Sequence, residues 1–194
     1  MKIKDGFLCG KCAEKCSEHI LNTIRTYTVS DIQKHLAYRQ KNKTSERFQK
    51  FRPDITLGKH QTLQIDSVHH LWSLDTNRPF RHNDNPDIFF LSQIKTIRTD
   101  IRKECINKFE NFNGKLSRVP TRLRRKINRT PLYGYWLYII IEVQHEMLTT
   151  LTMRLNQYII TDWNKETYQN TVKMMNEIIT TLQQLSGKAG NHQL

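Results

Sequence analysis

The stretch Tyr133-Gly134-Tyr135-Trp136-Leu137-Tyr138-Ile139-Ile140-Ile141-Glu142-Val143 decides the fold. Aromatic and β-branched side chains dominate it, and these suit a pleated, half-buried surface. It reads as the strongest strand of the chain. Leu148, Leu151, Met153 and Leu155 follow as a partner strand. Upstream, Thr62-Leu63-Gln64-Ile65-Asp66 and His70-Leu71-Trp72-Ser73-Leu74 alternate as strands do, and residues 87–91 form a short strand candidate. Ile94, Ile97, Ile101 and Ile106 are spaced more like a helix. They are nevertheless expected in a strand, because their surroundings are strand-rich.

Helices flank this region. Thr28 stands three residues before Asp31, a capping box with Asp in place of the usual Glu. Ile32, Leu36 and Ala37 follow at helical spacing, so a helix is expected over 29–50, broken near Asn42 and stopped by Pro53. At the other end, Tyr168, Val172, Met175, Ile179 and Leu182 trace the apolar stripe of a terminal helix. Its expected cap is Thr161 or Asp162, and Gly187 and Gly190 end it. The fold class is therefore α+β. A cysteine-rich head and helix span 1–52, a strand-rich body with its closing helix spans 53–187, and 188–194 form a frayed tail.

Cys9, Cys12, Cys16 and His19 crowd into eleven residues of the head. A Cys-x-x-Cys turn aims two sulfurs at one tetrahedral ion, so these four are the candidate zinc ligands. If a helix starts at Cys12, then Cys12, Cys16 and His19 share one of its faces. Two other readings stay open: a degenerate knuckle whose cysteines pack as small apolar groups, and a redox Cys-x-x-Cys. Cys105, far from the cluster, reads as a buried thiol.

The net charge is +13 over 194 residues. Such an excess attracts polyanions. Residues 115–129 carry Lys115, Arg118, Arg122, Arg124, Arg125, Lys126 and Arg129 with no acid, seven positive charges in one connection between strands. Arginine forks grip phosphate or carboxylate bidentately. Tyr133, Tyr135 and Trp136, just beyond, are candidate stacking surfaces if they point outward. No apolar run approaches the roughly 20 residues of a membrane helix. No secretory apolar region follows Met1, and unpaired thiols fit a reducing cytoplasm. His60, His69, His70, His82 and His145 are scattered and read as surface or satisfied strand residues. The carboxylates show no pairing. There is no phosphate-binding glycine loop, nucleophile elbow or metalloprotease helix, so binding is expected rather than catalysis.

Lys4-Asp5-Gly6-Phe7-Leu8-Cys9-Gly10-Lys11-Cys12, with Tyr27-Thr28-Val29-Ser30-Asp31-Ile32 and Ala37-Tyr38-Arg39, resembles a bacterial family of unknown function. In that family a small zinc-ribbon head precedes a helix and a pleckstrin-homology-like body. The resemblance implies an antiparallel sandwich or open barrel closed by the C-terminal helix. The family's ribbon also has an earlier Cys-x-x-Cys knuckle, which this sequence lacks. Cys16 and His19 would then substitute, two chains would pool their cysteines, or the start would lie upstream of Met1.

The reading that follows is an adaptor module that presents its basic segment to an acidic protein. Alternatives are a nucleic-acid binder, including a mobile-element inhibitor of nucleic-acid machinery of the anti-CRISPR kind, and a binder of anionic membrane surfaces. Self-association is open at the cysteine head and at the terminal helix.

Overall fold

The structure, a computed structural model, describes residues 1–21, 23–76, 85–106, 109–112, 115–118, 133–161 and 164–187. Four strands form one antiparallel meander: β1 (Ile55–Leu57), β2 (Thr62–Asp66), β3 (Leu71–Asp75) and β4 (Ile88–Phe90), in that spatial order. Next come β5 (Ile94–Cys105) and a separate two-stranded ribbon of β6 (Phe109–Phe112) and β7 (Lys115–Arg118). The strand expected over 133–143 is β8 (Tyr133–Val143). It is the spine of a second antiparallel sheet, with β5 along one edge and β9 (Thr150–Arg154) and β10 (Ile160–Thr161) along the other. Strand pairing thus makes 115–118 part of a ribbon, where a loop was expected.

The isoleucine spacing of β5 has a physical explanation. Ile94 faces Val143, but Thr96 faces Glu142, so Lys95 is an extra bulged residue. A bulge resets the two-residue period. Ile94 and Ile97, three apart, therefore share the buried face. On β8, Leu137, Ile139, Ile141 and Val143 point inward with them.

A larger irregularity interrupts the opposite edge. Tyr138 pairs with Arg154, but Tyr135 pairs with Ile160, so three extra residues loop out between β9 and β10. The Asn156 side chain bridges the gap. Its Oδ1 accepts from Leu137 N at 2.9 Å, and its Nδ2 donates to the Tyr135 carbonyl at 3.0 Å and the Tyr158 carbonyl at 2.7 Å. One amide thus replaces the backbone partners lost from the ladder. Gly134 completes the fit, because a Cβ there would lie 2.5 Å from the Ile159 side chain.

The N-terminal helices are α1 (Gly10–Lys15), α2 (Glu18–Leu21), α3 (Val29–Thr44) and α4 (Glu46–Lys50). The capping box forms as read: Asp31 N donates to Thr28 Oγ1, and Thr28 N to the Asp31 carboxylate. The helix breaks at Ser45, three residues after the expected point. Ser45 Oγ donates to the Asn42 carbonyl and accepts from Phe48 N, closing one helix and opening the next. The terminal helix is α5 (Lys165–Ser186). Its cap is Asn164, not Thr161 or Asp162: the Asn164 Oδ1 accepts from Thr167 N and Thr167 Oγ1. Gly187 ends it in the left-handed region at φ 67°.

Met175, Ile178, Ile179 and Leu182 of α5 bury against the inner faces of both sheets. Ile3, Leu8, Ile20, Ile24 and Ile32 of the head join the same buried cluster. One core therefore runs across the boundary expected at residue 52.

Replacing Asn156 with Ala should leave the buried Leu137 N–H without its acceptor and remove one donor each from the Tyr135 and Tyr158 carbonyls. The expected loss is about 1–3 kcal/mol. It would be read as a lower urea midpoint at unchanged m-value; an unchanged midpoint would show that other contacts hold the bulge.

Candidate functional site

The cysteine head is built around α1. Cys9 is its N-cap, and Cys9 Sγ accepts from Cys12 N at 3.4 Å. That backbone donor holds the exposed Cys9 thiol below its usual range, while the hydrogen bond to Cys9 pushes Cys12 up. These two thiols are brought together. The other two candidates go elsewhere. Cys16 ends α1 in extended backbone and packs into the core, 2% exposed. His19 lies on the separate α2, near Asp87 and hydrogen-bonded to the Leu74 backbone, and burial lowers its pKa.

The shared helical face of Cys12, Cys16 and His19 therefore does not form. The reason is Ser17, whose N–H donates to His35 Nε2 at 2.9 Å and whose Oγ donates to Asp87 Oδ2. Both bonds pull the chain out of helix. Among the described residues no three His, Cys, Asp or Glu side chains converge on one point. Cys9 and Cys12 supply two donors where a structural zinc takes four, so the tetrad is not one shell in this arrangement.

The basic segment divides differently. Lys115 and Arg118 lie on β7; Arg122, Arg124, Arg125, Lys126 and Arg129 lie outside the described residues. The three aromatic candidates separate by strand parity. Tyr135 turns inward, packs on the core and meets Tyr168 edge-on at 5.5 Å. Trp136 turns outward, where its Nε1 donates to Glu104 and the Arg154 guanidinium stands 5.2 Å over its ring. Lys103 Nζ lies 3.9 Å over Tyr133. Tyr138, not singled out from the sequence, carries Arg102 at 4.6 Å. Arginines thus already cover the outward rings of Trp136 and Tyr138.

A buried polar cluster is the largest feature that sequence reasoning missed. Asp87, 3% exposed, accepts from Ser17 Oγ and from Arg39 Nη1 at 2.9 Å. Asn42 Nδ2 donates to Asn85 Oδ1 and the Pro86 carbonyl, and Asn85 Nδ2 returns a bond to the Arg39 carbonyl. His145, read as a surface or strand histidine, belongs here. Its ring meets Tyr38 at 4.7 Å and Phe89 at 5.4 Å, and Nδ1 accepts from Met147 N and Leu148 N. The available signal was His35, Arg39 and Asn42, four and three apart on the face of α3 that also carries Ile32. Polar residues on a helix's apolar face announce a buried network.

Ser17, His35 and Asp87 are the residue types of a hydrolytic triad, but their geometry opposes that role. The His35 ring receives the serine's backbone N–H and not its hydroxyl proton, and both residues are sealed from solvent. The cluster clasps the head and α3 to β4.

Residues 1–35 match the Domain of unknown function (DUF4428). This similarity covers the cysteine-rich head and the start of α3. No curated protein and no solved structure matches the chain. No helix among the described residues is long and apolar enough to cross a membrane.

Two predictions follow from the clasp. Asp87→Ala should destabilise by about 3–5 kcal/mol, because it leaves the Arg39 charge buried and unpaired; thermal melting reads this loss, and a wild-type melting temperature would refute it. Burial, against the opposing pull of Asp87 and with a smaller push from Arg39, lowers the His35 pKa to about 4. Burial also lowers that of His145, again opposed by Asp87. Both rings accept backbone protons and must stay neutral in the fold. The unfolded chain therefore takes up protons that the folded chain refuses. Stability is full above about pH 6.5 and falls toward pH 4, by about 1.4 kcal/mol per pH unit for each proton. Denaturation midpoints across this range should slope accordingly, and His35→Gln should flatten the slope.

Proposed function

We propose that the chain is a non-catalytic binding module, an adaptor that presents its basic segment to an acidic protein partner. The observation that carries this reading is the charge: +13 overall, with seven cations and no acid in residues 115–129. Complementary charge steers encounter and sets specificity. The ribbon of β6 and β7 supports it, since Lys115 and Arg118 stand on a two-stranded sheet separate from the two larger ones. The order of elements supports a pleckstrin-homology-like body: a four-strand meander, a second antiparallel sheet, then one helix over the shared core. Such a body is a rigid scaffold for docking, and its cytoplasmic setting is part of this proposal.

The test is capture of partners by the full chain, compared with Arg122→Ala, Arg124→Ala, Arg125→Ala and Lys126→Ala combined. Wild type should retain an acidic protein at low salt and release it as salt rises, and the combined variant should lose it. If nucleic acid is retained instead, with the logarithm of its affinity falling linearly against log salt, the partner class is wrong and the nucleic-acid alternative takes its place.

A further inference from the structure

We infer that the groove between α5 and the free edge of β1 receives an extended acidic segment of a partner protein, laid down as an added strand. The inference rests on the adaptor reading above and gives it a second, shape-selective contact.

The groove follows from two features of the fold. On one side, β1 ends the meander and pairs only with β2 among the described residues. Beyond it, Gly58 turns the chain at φ 97°, a conformation L side chains rarely adopt; a Cβ there would sit 2.2 Å from the Gln61 carbonyl oxygen and 2.5 Å from the Met153 methyl. On the other side, the three-residue loop-out between β9 and β10 carries the second sheet's edge away from β8. The turn after β1 touches β9, where Arg154 N donates to the Gln61 side chain, but no ladder joins the two edges among the described residues, and α5 walls the gap. The resulting groove encloses about 830 Å³.

Its lining suits a peptide. A free strand edge offers unpaired backbone groups to an incoming strand. Thr167 and Asn170 of α5, and Gln157 of the loop-out, face the same space with neutral donors and acceptors. The charge is positive: Lys59 and Lys173 line the groove, with Glu177 the sole acid among the described lining residues. Next to it, Arg154 Nη2 lies 2.6 Å from His60 Nε2. Arg154 is held between His60 and the outward Trp136 ring, so the groove's own surplus is that of Lys59 and Lys173 over Glu177. A carboxylate-bearing segment answers that surplus. Tyr158 is the one Tyr, Phe or Trp among the lining residues, so a series of bases would find little to stack on.

The test uses the full chain and a fluorescein-labelled peptide of alternating glutamate and valine, read by fluorescence anisotropy. Lys59→Glu with Lys173→Glu reverses the groove. Lys41→Glu with Lys43→Glu makes the same charge change on an exposed face of α3. The groove pair should weaken binding about tenfold or more, and the α3 pair less than about twofold. A peptide of the same sequence with every backbone nitrogen methylated, unable to donate ladder bonds, should not bind. Equal weakening by both pairs, equal binding of the methylated peptide, or no binding by wild type would each overturn the inference. The adaptor reading fails separately. If the combined arginine variant loses the captured partner while the groove pair keeps it, the groove falls and the adaptor reading stands. If both variants keep the partner, both ideas fall.

Discussion

The buried carboxylate of Asp87 is the constraint on which the rest of the structure depends. A charge removed from water must be met by donors, and here the donors come from distant parts of the chain: Ser17 from the head and Arg39 from α3. Satisfying one side chain on the meander therefore fixes where the head and its long helix sit. The same bonds decide the path of the cysteine region. Ser17 is committed twice, to His35 and to Asp87, so the chain cannot stay helical past Cys16. Cys16 drops into the core and His19 turns toward the meander. The head is thus held by polar clasping and by burial of Ile3, Leu8, Ile20, Ile24 and Ile32, while Cys9 and Cys12 remain at its surface end.

The second sheet shows how departures from regular pairing create surface. A one-residue bulge in β5 brings isoleucines of odd spacing onto one face and seals the core. The three-residue loop-out opposite does the reverse. It needs Asn156 to satisfy the interrupted ladder and Gly134 to admit Ile159, and it leaves the sheet edge open beside α5. Both are backbone accommodations with defined hydrogen-bond partners, and only the second leaves concave space.

Charge is distributed unevenly over these parts. On the outer face of the second sheet, Arg98, Arg102 and Arg154 alternate with Asp100, Glu104 and Glu142, and the aromatic rings there are already engaged. That face is balanced. The positive excess lies mainly in the segment 115–129, with seven cations and no acid, and in the head over 1–52, with twelve cations and five acids, while the rim of the groove adds Lys59 and Lys173 against Glu177.

Much of the local structure was legible in the amino-acid order. The aromatic and β-branched run 133–143 is a strand to the residue, Thr28 and Asp31 form their box, and Gly187 ends α5 in the backbone region glycine tolerates best. These outcomes depend on residues within a few positions of one another, so spacing and side-chain type are enough to specify them. The strand over Ile94–Cys105 was decided by its partner, since its own spacing favoured a helix until a bulge reset the period. The direction of Cys16, the burial of His35, the half-burial of His145 and the existence of the groove were decided by tertiary structure. Each follows from a contact between residues distant in the chain, such as Ser17 with Asp87, His145 with Tyr38 or Asn156 with Leu137. Local preference cannot choose such partners; only the cost of burying an unmet polar group does.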